Sequence, residues 1–244
     1  MGNRAVITTK QAFDNNGIGV YLHWNGGRDS VEAFLMYCKL RGFRSPSSDS
    51  IYGWARFCQV VGNYFGGGLS LGIGNVNALD CDNWDNGVYI IDGWDIVGRE
   101  CIDDGFVEQN TYDLLEFVQY IDECQPEKDR LGKQLIEALL YDEQHPTTYE
   151  EKVSTLGVGS LVAVRDWNDA FETVEIVGFG ENGKAVNGYD VSGIPFFNKY
   201  SSDSVKAEDN INNYLTSNSR FIIINEAEPQ AESESSGDEQ MTLI

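Results

Sequence analysis

The period of the hydrophobic positions changes several times along the chain, and each change marks an element. Ala5-Val6-Ile7-Thr8-Thr9 is a β-branched run that predicts a strand. Asp14-Asn15-Asn16-Gly17 is turn chemistry, and Ile18 to Trp24 predicts a second strand hairpinned to the first. Val31, Phe34, Leu35 and Cys38 then recur at helical spacing, with Asp29 as the expected cap and Glu32 at the capping-box position three residues on. A second helix is expected with Ile51, Trp54, Ala55, Cys58, Val61 and Phe65 inward, broken by Gly66-Gly67-Gly68. Leu69 to Ile73 alternates as a strand. Val88-Tyr89-Ile90-Ile91 and Trp94-Asp95-Ile96-Val97 flank Asp92-Gly93, which predicts a hairpin with a type I′ turn and positive φ at both central residues.

Helical spacing returns at Leu114, Leu115, Val118 and Ile121, and again at Leu131, Leu135, Ile136, Leu139 and Leu140. Pro126 is expected at the start of that second helix, and His145-Pro146 at its end. From about Thr155 short strands with glycine turns dominate: Val158 to Val164, Glu172 to Phe179, Tyr189 to Val191, Phe196-Phe197 and Arg220 to Ile224, with a small helix from Val205 to Leu215. The expected fold class is α+β. Residues 1–108 form an α+β domain, a mixed or antiparallel sheet with two helices. Residues 109–152 form a helical connector, 153–225 a small SH3-like β-barrel, and 226–244 a disordered acidic tail.

Charge narrows the function classes. Against 39 acids stand 17 bases, a formal net charge of -22. Such a surface repels phosphate, so direct nucleic-acid binding is not expected. It suits basic partners, metal ions or the DNA-binding groove of another protein, and it equally suits plain solubility. The cysteines, Cys38, Cys58, Cys81, Cys101 and Cys124, are odd in number and unclustered, which argues against a disulfide framework and a zinc site. With no signal peptide and no apolar run near the ~18 residues of a span, neither membrane nor export is expected, and a bacterial cytoplasm is.

Asn25-Gly26-Gly27-Arg28-Asp29-Ser30, between a predicted strand and helix, resembles the SGGxDS loop of the PP-loop ATP pyrophosphatases, with Asn25 where that family has Ser. The resemblance implies that Asn25, Gly26, Gly27 and Arg28 cradle a nucleotide's phosphates. A glycine turn leading into a capped helix explains the same residues. His23, Asp29 and Ser30 are the candidate catalytic set, a histidine base near an acid and a hydroxyl nucleophile. A packed histidine is the structural alternative. Asp80, Asp82 and Asp85 have the look of a calcium loop, but Ile91 stands where an EF-hand needs its bidentate Glu, so a solvated turn is expected and no metal or cofactor.

Two further resemblances bear on partners. Met1-Gly2-Asn3-Arg4-Ala5-Val6-Ile7 and Tyr21-Leu22-His23-Trp24-Asn25-Gly26 resemble a group of uncharacterised phage and mobile-element proteins, which implies an element-borne origin and no chemistry. Gln240-Met241-Thr242-Leu243-Ile244 resembles the pentapeptide by which bacterial replication proteins dock on the sliding clamp. That implies a groove taking Met241, Leu243 and Ile244, with Gln240 at its rim. The expected function is a non-enzymatic accessory protein that binds host proteins, the sliding clamp among them. Two alternatives are an anti-restriction or anti-CRISPR DNA mimic that occupies a defence nuclease, and a nucleotide-binding enzyme using residues 25–30.

Overall fold

The computed structural model describes residues 2–68, 70–102, 112–165, 171–199 and 205–225. They divide into two compact units. The first takes the described residues of 1–147 and 163–172, the second those of 148–162 and 173–225.

The first unit is built on a five-stranded mixed sheet. Its strands are β1 (Ala5–Thr9), β2 (Ile18–Leu22), β3 (Leu71–Asn75), β4 (Val88–Asp92) and β5 (Asp95–Glu100), in the order β3-β2-β1-β4-β5. β1 and β2 are antiparallel, as the expected hairpin requires, with Ile7 opposite Val20, and a short helix α1 (Lys10–Asp14) links them. β1 and β4 run parallel, Ile7 beside Tyr89. β2 and β3 are antiparallel, Val20 opposite Ile73. The period-2 pattern has a direct cause. Ala5, Ile7, Val20, Leu22, Tyr89 and Ile91 point to one face and are buried there. Val6, Val88 and Ile90 point to the other, where Phe13, Tyr21, Leu79 and Cys81 cover them.

Helices α2 (Arg28–Leu40) and α3 (Ser50–Tyr64) lie on the first face. Phe34, Phe57, Tyr64 and Phe117 form an aromatic cluster of mostly edge-to-face contacts, and Phe57 stacks on Trp94 at 6.4 Å. The inner face of α3 is Gly53, Trp54, Phe57, Val60 and Val61, whereas Ile51 is 87% exposed. The helix is rotated from the expected face because Gly53 packs on the 45–46 backbone and sets its orientation. A Cβ at Gly53 would sit 2.4 Å from Pro46 N.

The helices expected as a connector do not stand apart. α4 (Leu114–Glu123) and α5 (Lys133–Gln144) pack in the first unit. Buried Asp122 ties three helices: it accepts from Tyr37 OH at 2.8 Å, Leu131 N at 2.8 Å and Gly132 N at 2.9 Å. Gly132, at φ 84, is the N-cap of α5, so the carboxylate answers free amides at the entry to the helix. Pro126 precedes a single 3-10 turn, Glu127–Asp129, rather than α5 itself.

The second unit opens with α6 (Tyr149–Thr155), capped by a reciprocal Thr148–Glu151 box. Strands β6 (Leu161–Arg165), β7 (Phe171–Phe179), β10 (Pro195–Phe197) and β11 (Phe221–Asn225) form an open sheet ordered β10-β7-β6-β11, with residues 163–165 of β6 and 171–172 of β7 counted in the first unit. β8 (Ala185–Val186) and β9 (Tyr189–Asp190) make a separate ribbon. No closed barrel exists among the described residues, so the SH3-like expectation gives way to an open α+β arrangement. The expected helix over 205–215 is two 3-10 turns, Ala207–Asp209 and Ile211–Asn213. Asn210 breaks it by turning its side chain back onto Asn212 N.

Candidate functional site

The loop of residues 25–30 is closed by backbone packing. Gly26 N donates to Asn3 O at 2.8 Å, and a Cβ at Gly26 would lie 2.7 Å from Asn3 O, Arg4 C and Ala5 N. Glycine is required there because the loop presses on the start of β1. Asn25 takes φ 56, and its amide donates to Tyr64 OH at 3.2 Å.

The expected cap is corrected. α2 begins at Arg28, its N-cap is Gly27, and no side chain caps it. Asp29 lies inside the first turn, accepting from Ser30 N at 2.7 Å and Tyr112 N at 3.2 Å. Glu32 pairs with Arg28 at 2.6 Å instead of reaching back to the cap. Ser30 is buried at 1% exposure, with its hydroxyl 3.4 Å from Asp29 Oδ1. His23 Nδ1 stands 3.0 Å from Tyr21 OH, and its ring meets Trp24 edge-on at 5.2 Å. The candidate catalytic residues thus make structural contacts with their own neighbours.

A different loop, residues 80–87, holds an exposed tryptophan on a fixed turn. Asn83 is fully buried and organises residues 80–87 with its amide alone. Its Nδ2 donates to Asp80 O and Gly87 O, while its Oδ1 accepts from Asp85 N, Asn86 N and Gly87 N, at 3.0–3.1 Å. Trp84, next in sequence, is held at φ 58 with 79% of its surface in water. A bulky residue in the left-handed region is uncommon and persists only where its surroundings fix it.

Arg4 anchors the loop to the sheet. Its Nε reaches Asp85 Oδ2 at 2.7 Å, and its Nη1 reaches Asp80 Oδ2 at 3.3 Å. Burial opposes the Asp85 charge, but the Arg4 hydrogen bonds outweigh it and hold the carboxyl below its ordinary value. Burial and the nearby Asp80 charge push the Tyr21 phenol up. Arg4 thus pairs with two of the three aspartates. Among the described residues no group of three or more His, Cys, Asp or Glu could hold a metal ion. The sequence flagged these aspartates but passed over Asn83 and Trp84. The signal was a tryptophan inside an otherwise polar turn, where hydrophobicity has no core to explain it.

A cavity of about 710 Å³ opens where parallel β1 and β4 end, lined by Thr9, Lys10, Gln11, Ser50, Trp54 and Asp92 among others. Several of its polar groups are engaged in local structure. Thr9 Oγ1 caps α1 through Ala12 N, Ser47 Oγ accepts from Gly93 N, and Lys10 pairs with Asp14 and Glu100. Gln240, Met241, Leu243 and Ile244 lie outside the described residues. No helix among the described residues is long and apolar enough to cross a membrane. Comparison with protein-family models, curated proteins and solved structures gave no match to this chain.

Proposed function

We propose that this chain is a non-enzymatic accessory protein that works by binding another protein, one with a basic surface around an apolar recess that receives Trp84. The observation that carries the reading is the exposure of Trp84 on a loop clamped by Asn83. Tryptophan is among the side chains most often found at the energetic centre of interfaces. A loop already held in shape loses little entropy on docking. Asp80, exposed Asp82 and Asp85 lie beside it, and the -22 net charge draws a basic partner at long range.

The setting proposed is the cytoplasm of a bacterial host, with the chain borne by a phage or mobile element. Docking of Gln240, Met241, Leu243 and Ile244 on the sliding clamp is a second contact within this reading, and a defence nuclease is the other partner class. Against the nucleotide-binding alternative stands Gly26, whose amide bonds to Asn3 and which leaves no room at its Cα.

Affinity capture from a bacterial lysate tests the reading, using the full chain, Trp84→Ala and a chain lacking residues 240–244. Trp84→Ala is expected to lower recovery of the specific partner by about tenfold or more. Full recovery with Trp84→Ala sinks the role of Trp84, and loss only with the truncated chain moves the function to the tail. Heat on titrating ATP and magnesium into the protein would revive the enzyme reading.

A further inference from the structure

The two edges of the first sheet are unlike. β5 carries Asp95, Arg99 and Glu100, and its pairing with β4 shifts register between Ile90 and Ile91. Charges and a bulge are the ordinary protections of an edge strand. β3, Leu-Gly-Ile-Gly-Asn, has neither a charge nor a proline nor a bulge, and Ile73 at its centre is 58% exposed. In the other sheet, β10 begins with Pro195, and Lys152 Nζ donates to the Phe221 carbonyl at the start of β11.

The hydrogen-bond parity of β3 follows from its flanks. His23 N donates to Ser70 O and Val76 N donates to Gly17 O, both in register with the β2–β3 ladder. Alternate residues therefore face β2: Ser70, Gly72, Gly74 and Val76. The backbone N–H and C=O groups of Leu71, Ile73 and Asn75 point away from the sheet.

We propose that β3 is the interface of a homodimer, in which two copies pair antiparallel about Ile73 and join their sheets into one. A two-fold axis at Ile73 sets Ile73 opposite Ile73 of the second copy and Leu71 opposite its Asn75. All three outward residues then exchange bonds in narrow pairs. Gly72 and Gly74 face each other across the axis and offer no steric obstacle. The two Ile73 side chains, on the face where Val20 is buried, cover each other.

Charge selects a second copy as the occupant. Phe57 to Leu79 contains no Asp, Glu, Lys or Arg, in a chain where such residues make up 23%. The strip includes β3 and most of the C-terminal half of α3, which packs beside it. A strip without charges adds no local repulsion when two bodies of charge -22 meet there. No charge is placed opposite a like charge in the symmetric register.

Sedimentation velocity over a concentration series, in low and high salt, reads the dimer directly. The mass of the full chain is expected to rise from one chain to two with concentration, and further with salt as repulsion between the acidic bodies is screened. Ile73→Lys sets two ammonium groups opposed at the axis and returns the protein to one chain mass. Val97→Lys, on the protected edge, leaves the dimer in place. Circular dichroism confirms that both variants fold, since both positions are largely in water. Under mild oxidation Ile73→Cys cross-links to itself above the background of the native thiols, and Val97→Cys does not. A single chain mass at every concentration and salt overturns the proposal, as does a dimer that Ile73→Lys leaves intact.

Discussion

Asn83 shows how one buried amide can define a surface. It satisfies three backbone donors and two carbonyls within residues 80–87, a stretch with no regular ladder of its own. Asn83→Ala strands those amides in a buried site, and it is expected to cost about 2–4 kcal/mol in denaturant unfolding. A carboxylate could replace the three acceptor bonds but not the two donor ones. The amide nitrogen is needed because both of its partners, Asp80 O and Gly87 O, are carbonyl oxygens.

Asp85 acts through its charge. Its folded pKa lies below the ordinary 3.8, so its ionised form favours the folded state. That contribution is complete above 3.8 and is lost as pH falls through the lower folded value. Asp85→Asn should therefore destabilise the protein at neutral pH, with the difference from wild type shrinking in acid below that value. Parallel urea titrations along the acid limb check this, and a pH-independent difference would contradict it.

At the scale of elements, what matters is how helices without strong local signals are held. α5 has no side-chain cap, and Gly132 gives it a left-handed entry. Asp122 supplies the missing acceptor from α4 and takes the Tyr37 hydroxyl from α2. Burial, then the Asp122 charge, pushes the Tyr37 phenol well up, so it remains a donor at any pH of interest. Asp122→Ala is expected to cost about 3 kcal/mol or more, and Tyr37→Phe about 1–2 kcal/mol, because one removes an acceptor shared by three donors and the other removes one of those donors. A double-mutant cycle measures the coupling. Hydrogen exchange should show α5 losing protection before the sheet in Asp122→Ala.

Hairpin turns follow the same rule, with distant contacts overriding the local signal. Asp92 pairs with Asp95, so the loop is Gly93-Trp94, and of these two only Gly93 takes positive φ. This excludes the expected type I′ turn, because Trp94 keeps ordinary φ while burying its ring and donating to Phe43 O. The type I′ pattern occurs instead at Asn187-Gly188, where both φ values are positive between β8 and β9.

For the whole molecule, charge and edge geometry bear on association in opposite directions. The net charge of -22 keeps copies apart at long range and draws basic partners. The charge-free edge at β3 invites pairing at short range. The salt dependence of each association distinguishes them: capture through Trp84 should weaken as salt rises, and pairing through Ile73 should strengthen. Both readouts use the same full chain, so one preparation tests both.

What local sequence determined was the class of each early element. β-branched and apolar runs bounded by turn residues yield β1, β2, β4 and β5, because a strand buried on both faces reads as a near-continuous apolar run, and 3.6-residue spacing yields α2 to α5, because one helix face is buried. The α+β class followed from their order. Tertiary contacts decided everything that depends on residues distant in the chain. They set β1 parallel to β4, turned α3 so that Ile51 faces water, and drew α4 and α5 against α2 through Asp122. They also left β10, β7, β6 and β11 as an open sheet. The candidate site divides in the same way. Glycines at 26 and 27 were visible as a turn, but only the approach of β1 showed that Gly26 faces Asn3 rather than a ligand. Trp84 was visible as a letter, and its exposure depended on a buried asparagine whose five bonds no period or composition encodes.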